Sequence, residues 1–316
     1  MTIARRPAVT VVINPAAGRG AAIGLGERAA RALALGADVT VLRPSGGAAG
    51  SLDALRAAAR AVPDAVVVCG GDGIVHLAAN VLAGGHVPLA VIPAGSGNDT
   101  ATALGMSGDA ERAAAQVLAA LTAGSFRRID VGRCDGPELL AGTPRAFVGL
   151  VYAGFDSIVN DLANRLRWPR GAARYNFALA IETARLRART FEIAEAGRLW
   201  RVPATLIAVG NGSHYGGGKW IAPHAHWDDG LLGMTVIGPV SRWTLARLAP
   251  TLPHAGHATH PRVLLRSVRE VIVDAPHDRG VVAYADGERV GPLPLRVWTE
   301  PAGLLVVAPA APHPRP

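Results

Sequence analysis

A chain of 316 residues is long enough for two domains of ordinary size, and with half of its residues hydrophobic and 18% charged it can build a packed core, which excludes a disordered chain. No apolar run approaches the roughly 18 residues that a bilayer-spanning helix needs. The net charge of +8 favours anionic partners, but lysine occurs once (Lys219) and arginine supplies the other basic residues. In a chain so rich in Ala, Gly and Pro that is as readily a compositional bias. With no zinc-finger spacing, RNP motif or basic heptad region, it supports no nucleic-acid partner.

The opening MTIARRPAVTVVINP has two arginines and then apolar residues, yet the apolar part ends at Asn14-Pro15 without a small-residue cleavage pattern. Val9 to Ile13 therefore reads as a first strand. Helix and strand then alternate: a helix over Ala21 to Leu35, a strand at Val39 to Leu42, a helix over Leu52 to Ala61, and a strand at Ala65 to Val68. There follow a helix over Ile74 to Leu82, a strand at Leu89 to Ile92, a helix starting at Thr100 to Leu104, and a helix over Asp109 to Ala123 with Asp109 as its cap. Strands that are apolar throughout, alternating with helices, predict a parallel sheet covered on both faces.

After Gly124 the pattern changes. Short β-like runs at Phe147 to Tyr152, Ala204 to Val209, Leu231 to Ile237, Val263 to Leu265, Val271 to Val273, Val281 to Tyr284, Leu295 to Thr299 and Leu304 to Val307 are separated by turn residues. One helix, roughly Asn176 to Arg189, interrupts them. The expectation is an α/β domain over 1–131, a mostly β sandwich over 132–308, and a disordered tail over 309–316. The two cysteines, Cys69 and Cys134, read as buried thiols of a cytoplasmic protein, with one disulfide as the alternative.

Residues 69 to 76, CGGDGIVH, place one carboxylate among three glycines where a parallel strand ends and a helix begins. Ligands of open α/β sheets bind outside such strand ends. A helix N-terminus there offers unpaired N–H groups that suit phosphate, and glycine lets the backbone approach closely. A carboxylate beside phosphates needs a mediator, for which Mg²⁺ is suited. On this motif alone, a tight turn with Asp72 as helix cap is the competing reading. Two more strand-to-helix loops, Asn14-Pro15-Ala16-Ala17-Gly18-Arg19-Gly20 and Pro93-Ala94-Gly95-Ser96-Gly97-Asn98-Asp99, repeat the theme on the same sheet edge and favour phosphate. There is no GxxxxGK[ST], so this is no P-loop. The literal GxGxxG/A at Gly24 to Ala29 falls inside a helix.

The stretches VVINPAAGRG, VVVCGGDGIVH, LAVIPAGSGNDTATALG, RIDVGR, AGFD, VGNGSHYGGGKWIAPHAHWDDGLL, HATHPRV and AYADGERV resemble the diacylglycerol kinase catalytic family, in the soluble bacterial lipid-kinase branch that also includes the sphingosine kinases. The resemblance covers nearly the whole chain. It implies an NAD-kinase-like α/β domain joined to a β-sandwich domain, with ATP in the cleft between them. Asn14, Pro15, Gly18, Gly70, Gly71, Asp72, Gly73, Gly95, Ser96 and Asn98 would contact ATP, and Ser45 would add a hydroxyl. Asp286, in Asp286-Gly287-Glu288, would be the base that takes the proton of a lipid hydroxyl; read without the family, Asp-Gly is a hairpin turn. The resemblance further implies a Mg²⁺ held by Asp229 with main-chain oxygens of His226 and Leu231, supported by Asp130 and Glu288; Asp228 could compete for that role, and a plain turn competes with the site as a whole.

The resemblance thus implies an ATP- and Mg²⁺-dependent kinase, cytoplasmic and peripheral to the membrane that offers its lipid substrate, with a homodimer left open. Against the family pattern, Ile74 stands where threonine is usual and His76-Leu77 where Asn-Glu is usual; Gly233 stands where aspartate follows DGLL. These departures motivate a catalytically weak lipid- or nucleotide-binding sensor as one alternative. An NAD kinase is the other.

Two further features were weighed. His254, His257 and His260 recur every three residues, but Pro253 and Pro261 break any helix that would align them for zinc, so loop histidines are expected. Asn164 to Gly171, with Arg174, combines basic residues with Trp168. That mixture suits docking on anionic headgroups, and a helix end with Trp168 packed inward is the competing reading.

Overall fold

A computed structural model describes residues 5–45, 47–139, 145–169, 172–278 and 280–309. The expected disordered tail lies outside the described residues except for Pro309. The chain divides into two compact units. The first is the chain through Val131 together with the chain from Ala302, and the second is Gly132–Pro301. By its contacts the end of the last strand, expected within the second domain, clusters with the first unit. The last strand pairs within the first unit and takes residues 302 onward with it.

The first unit contains β1 (Ala8–Ile13), α1 (Ala21–Leu33), β2 (Asp38–Leu42), α2 (Gly47–Arg60), β3 (Ala65–Gly70), α3 (Asp72–Leu82), β4 (Leu89–Pro93), α4 (Asp99–Ala103) and α5 (Ala110–Ala123). The strands lie in the order β2-β1-β3-β4, all parallel, with Val12 opposite Leu42, Ile13 opposite Cys69 and Gly70 opposite Pro93. That register brings the ends of β1, β3 and β4 level, so the three following loops share one rim. β1, β3 and β4 are almost wholly buried, as their unbroken apolar sequence predicts. α1 turns Ala22, Gly26, Ala29, Ala30 and Leu33 inward at helical spacing. Gly26 is required there: a Cβ would lie 2.7 Å from Ile13. α5 starts where Asp109 Oδ1 accepts from the Arg112 N–H at 2.9 Å, and it stops at Gly124 with φ 63°.

β5 (Phe126–Asp135) carries the chain from the first unit to the second. There the elements are β6 (Arg145–Phe147), β7 (Leu150–Gly154), α6 (Phe155–Arg165), α7 (Ala172–Ala184), β8 (Arg189–Glu195), β9 (Arg198–Ala204), β10 (Leu206–Gly210), β11 (His214–Tyr215) and β12 (Lys219–Trp220). They continue with β13 (Leu232–Ile237), α8 (Arg242–Leu248), β14 (Val263–Val268), β15 (Glu270–Asp274), β16 (Val282–Ala285), β17 (Glu288–Pro292) and β18 (Leu295–Val307), which returns to the first unit. An antiparallel sheet runs β14-β13-β10-β7-β16-β17. A second set of antiparallel strands runs from the start of β18 through β15 and β8 to β9. Alternation along the strands decides what each face meets. Val151, Ala153, Ile207 and Val209 enter the core with Phe191, Ile193, Val271, Val273 and Val297. Leu150, Tyr152, Leu206 and Ala208 face the other way, onto Ile221, Ala222 and Ala225.

Three expectations change. The helix expected over Asn176 to Arg189 is Ala172–Ala184, and Arg189 opens the β8–β9 hairpin, which turns through Ala196 (φ 49°) and Gly197 (φ 76°). The single strand Phe147 to Tyr152 is split into β6 and β7. The runs at Leu295 and Leu304 join into one strand. The cysteines are free thiols, both buried, and burial pushes each thiol up to about 12.

Candidate functional site

The three loops at the rim of the first unit interlock through glycine. A Cβ on Gly18, whose φ is +57°, would lie 2.6 Å from the Ala94 carbonyl oxygen. A Cβ on Gly70 would meet Ile74 Cγ2 at 2.7 Å and Asn14 Cβ at 3.3 Å. One on Gly95 would meet Gly71 Cα at 2.4 Å. Asn14 ties its own loop, its Oδ1 accepting from the Ala16 N–H at 3.1 Å and its carbonyl from the Ala17 N–H at 3.2 Å. Asn98, itself at φ 58°, accepts from the Gly95 N–H at 2.8 Å and donates back to the Gly95 carbonyl at 3.0 Å. Gly95 therefore braces the loop. Among the described residues the N–H groups of Ser96 and Gly97 make no hydrogen bond, and Gly73 in the first turn of α3 has no helical acceptor. These are the donors an anion would meet. Pro15 is half-buried in the first loop, and Ser96 is exposed.

Asp72 has a role that its sequence context did not reveal. Its two carboxylate oxygens accept from the N–H groups of Asp99 (3.2 Å) and Thr100 (3.1 Å), at the start of α4. The carboxylate caps the helix of the neighbouring loop, and not its own, and so links the β3 loop to the β4 loop. Ser45 stands exposed beyond β2, with its carbonyl against Gly50; among the described residues no hydrogen bond joins it to the three loops. Ile74 and His76 are buried, at 1% and 3% exposure. These two departures from the family pattern are thus packing residues here, Ile74 seated under Gly70.

In the second unit Asp286 occupies the two-residue turn between β16 and β17. Asp286 (φ 49°) and Gly287 (φ 86°) both have the positive φ of a type I′ hairpin. The turn also presents the carboxylate. Oδ2 accepts from the Val148 N–H at 2.9 Å, and Oδ1 accepts from those of Gly149 (2.9 Å) and Leu150 (3.1 Å). Val148 and Gly149 are the residues missing from a continuous Phe147–Tyr152 strand, and their engagement with the carboxylate explains the split between β6 and β7. A Cβ on Gly149 would lie 2.8 Å from Asp286 Oδ1. Glu288 sits opposite Ala285 at the start of β17, exposed.

His226, Asp229 and Leu231 share the turn before β13. Asp229 Oδ1 accepts from the Leu231 N–H at 2.9 Å in an Asx turn, and Asp229 is exposed. Asp130 is buried in the first unit and accepts from the Ala302 N–H at 2.8 Å. Among the described residues no three His, Cys, Asp or Glu side chains group as metal ligands. The donors around Asp229 are oxygens of one carboxylate and the main chain, a set that fits Mg²⁺ and not zinc. His257 is buried with Nε2 3.1 Å from the Ile221 carbonyl, and burial lowers its pKa; His260 Nδ1 accepts from the Arg262 N–H. Both histidines are engaged locally.

One polar seam went unassigned at the sequence level, although it includes the aspartate of AGFD. Asp156, in the first turn of α6, accepts from the Tyr215 hydroxyl, and Asn160 donates to the Tyr152 hydroxyl. Tyr152 stacks on Tyr284 at 6.0 Å, and the Tyr284 hydroxyl accepts from Asn164 at 3.3 Å. The seam fixes α6 on β7 and β16. Burial raises the Asp156 carboxyl above its ordinary range, against the lowering effects of the Tyr215 hydrogen bond and Lys219. The folded chain thus holds this proton to higher pH than the unfolded chain, so Asp156 costs stability as pH rises through the raised pKa. Asp156→Asn, neutral throughout, is expected to gain in melting temperature relative to the parent between acid and neutral pH. Parallel melting curves at both pH values would contradict this.

Two family models together match nearly the whole chain. Residues 8–134 match the diacylglycerol kinase catalytic domain, and residues 149–308 match the YegS C-terminal NAD kinase beta sandwich-like domain. An α/β unit with glycine loops at one sheet rim, followed by such a sandwich, defines the class. The chain belongs to the diacylglycerol kinase catalytic family. It is 39% identical over 303 residues to a diacylglycerol kinase of Mycobacterium tuberculosis, covering 95% of each chain. It is 29% identical over 248 residues to a probable lipid kinase YegS-like of Pseudomonas aeruginosa, covering 78% of this chain and 76% of the relative. A solved structure of a putative diacylglycerol kinase from Bacillus anthracis shares the fold with a TM-score of 0.73 at 19% identity, covering 96% of this chain and 97% of that one. Yeast NADH kinase complexed with NADH aligns with a TM-score of 0.50 at 10% identity, covering 96% and 84%.

Proposed function

We propose that the chain is an ATP-dependent lipid kinase that phosphorylates a hydroxyl of a diacylglycerol-like molecule. The observation that carries this reading is the interlock of three glycine loops on one rim, which leaves N–H groups of Ser96, Gly97 and Gly73 to receive phosphate oxygens. Family membership and the names of the relatives support the lipid acceptor. Phosphoryl transfer asks little of a protein beyond positioning, charge neutralisation and a base. Asn14, Pro15, Gly18, Gly70, Gly71, Asp72, Gly95 and Asn98 shape the phosphate cradle. Asp72 acts by bracing it. Asp286, fixed by three amides, accepts the proton of the attacking hydroxyl. Asp229, with main-chain oxygens of His226 and Leu231, would hold Mg²⁺, with Asp130 and Glu288 in support. Bound there, as a structural ion, Mg²⁺ would tie the turn's oxygens together.

The test is transfer from γ-labelled ATP with Mg²⁺ to a panel of diacylglycerol, phosphatidylglycerol, a sphingoid base and an isoprenoid alcohol, with NAD alongside. Labelled lipid is expected. NADP as the sole product would replace this reading with an NAD kinase, and bound ATP with no transfer would make the chain a sensor.

A further inference from the structure

The charge on Asp156 costs stability, and the fold does not use it. The first turn of α6 is tied by Ser157 instead, whose Oγ accepts from the Gly154 N–H at 3.0 Å and donates to the Gly154 carbonyl at 2.9 Å. Asp156 Oδ2 accepts from the Tyr215 hydroxyl; among the described residues Oδ1 accepts from nothing, and no basic side chain pairs with it. Lys219, on β12, is unused in the same way. It is the only lysine of the chain and half-buried, with Nζ 5.5 Å from the centroid of the Tyr215 ring. It makes no ion pair or hydrogen bond among the described residues. Its charge nonetheless reaches Asp156, whose carboxyl it draws down against the dominant effect of burial. Two tyrosines complete the group. The Tyr152 hydroxyl accepts from Asn160 and gives its proton to no described residue. Tyr175, on α7, is 38% exposed, and its hydroxyl is likewise unbonded among the described residues; burial and then the Asp156 charge push it up to about 12.

These four groups adjoin the carboxylate of Asp286. Tyr152 pairs with Tyr284 across β7 and β16, their rings stack 6.0 Å apart, and the Tyr215 ring is 5.9 Å from that of Tyr152. Tyr284 is two residues from Asp286, and Tyr152 is two residues from Leu150, whose N–H bonds to Asp286 Oδ1. The β11–β12 hairpin, which carries Tyr215 and Lys219 as a cross-strand pair, starts at the same point. The His214 carbonyl oxygen is 3.7 Å from the Cβ position of Gly149, and that position is 2.8 Å from Asp286 Oδ1. All of these residues belong to the second unit. A hydroxyl held at Asp286 therefore has a carboxylate, an ammonium and two phenols for neighbours. Diacylglycerol has no second hydroxyl to give them and would leave desolvated polar groups without partners. An anionic head group meets Asp156 and a cationic one meets Lys219, so the pair disfavours both. Uncharged hydroxyls suit every member: they donate to the carboxylate and accept from the ammonium and the phenols.

We propose that Asp156, Lys219, Tyr152 and Tyr175 form the subsite that selects the acceptor, and that the acceptor is a lipid with an uncharged polyol head group, such as a hexosyl diacylglycerol. One head-group hydroxyl lies at Asp286 and the others bond to the subsite. That hydroxyl oxygen takes the γ-phosphoryl group, its proton passes to Asp286, and ADP leaves. The proposal rests on the kinase reading for the reaction but not for the binding. It is tested with γ-labelled ATP and glucosyl diacylglycerol, diacylglycerol or phosphatidylglycerol, each in micelles of a detergent without a sugar head. The glucosyl lipid is expected to exceed diacylglycerol in kcat/KM by about 10²-fold or more, since a site built to bond hydroxyls rejects an analogue that lacks them. Asp156→Ala and Lys219→Met should each raise KM for the glucosyl lipid about tenfold to 100-fold, with kcat within about twofold and diacylglycerol turnover unchanged. Melting curves show that each variant is folded, and Lys219→Met, at a half-buried hairpin position, serves if Asp156→Ala is not. A second readout needs no turnover. Acylation of Lys219 by an amine reagent, read in its peptide by mass spectrometry, should be slowed by the glucosyl lipid and not by diacylglycerol. The proposal falls if the glucosyl lipid does not protect Lys219, if diacylglycerol or phosphatidylglycerol is the better acceptor, or if the folded variants keep the parent's KM. Protection of Lys219 with no lipid phosphorylated would uphold the subsite and remove the kinase reading alone.

Discussion

Asp286→Asn is expected to lower phosphoryl transfer by about 10²- to 10⁴-fold while leaving ATP bound, the range for loss of a positioned general base. The substitution has a structural side that must be separated from the chemical one. The carboxylate accepts three N–H bonds from Val148, Gly149 and Leu150. An amide has one acceptor oxygen, so it turns a donor toward at least one of those groups, at a cost of about 1–3 kcal/mol in stability. Melting curves measure that cost. Assays well below the melting temperature, with ATP binding read in parallel, isolate the catalytic loss. Gly149→Ala gives the complementary perturbation, since its Cβ would lie 2.8 Å from Oδ1 and displaces the carboxylate without changing its chemistry. Its turnover should fall while ATP binding is retained. Near-normal turnover by Asp286→Asn would remove the residue from the role of base.

The second large effect belongs to Gly95→Ala. The added methyl would sit 2.4 Å from Gly71 Cα and 3.0 Å from Gly71 N. Both are backbone atoms of a neighbouring strand end, so no side-chain rotation relieves the overlap, and one of the two loops must move. The expected cost is about 1–3 kcal/mol in stability. It comes with loss of the melting-temperature increase that ATP gives the parent, since a displaced cradle no longer binds the native state preferentially. Gly24→Ala is the control. Nothing lies within 4 Å of its added Cβ, and it sits within α1. It should stabilise by about 0.5–1 kcal/mol and keep the ATP response. An unchanged ATP response in Gly95→Ala would remove the third loop from the phosphate site.

What could be read from the chain in advance was whatever its local chemistry determines. The strands of the first unit are unbroken runs of Val, Ile and Ala, and their glycine-bearing ends marked the loops without any knowledge of packing. Asp109 and Gly124 bounded α5 by cap and stop. What escaped depended on distant partners. The strand from Phe147 is broken by a carboxylate 138 residues away at Val148, a separation over which local pattern carries no information. Asp72 could be recognised as a carboxylate in a phosphate loop, but its engagement with α4, 27 residues on, could not. The β8–β9 hairpin was different. Phe191 and Ile193 alternate with polar residues as a half-buried strand should, and the arginine-rich end of α7 running into them obscured the change of period.

The first unit is assembled from two separated stretches of the chain, one through Val131 and one from Ala302. Val306 of β18 pairs beside Leu89 of β4, and the Gly303 carbonyl takes the Gly84 N–H after α3. During synthesis, therefore, the first unit cannot close that side of its sheet until the residues from Ala302 to Val307 have been made. For that interval β4 lacks its β18 partner, the kind of open flank that recruits other chains. The sandwich, lying wholly within the interruption, has every strand of its own before then. Truncation before Ala302 should consequently damage the unit that is made first.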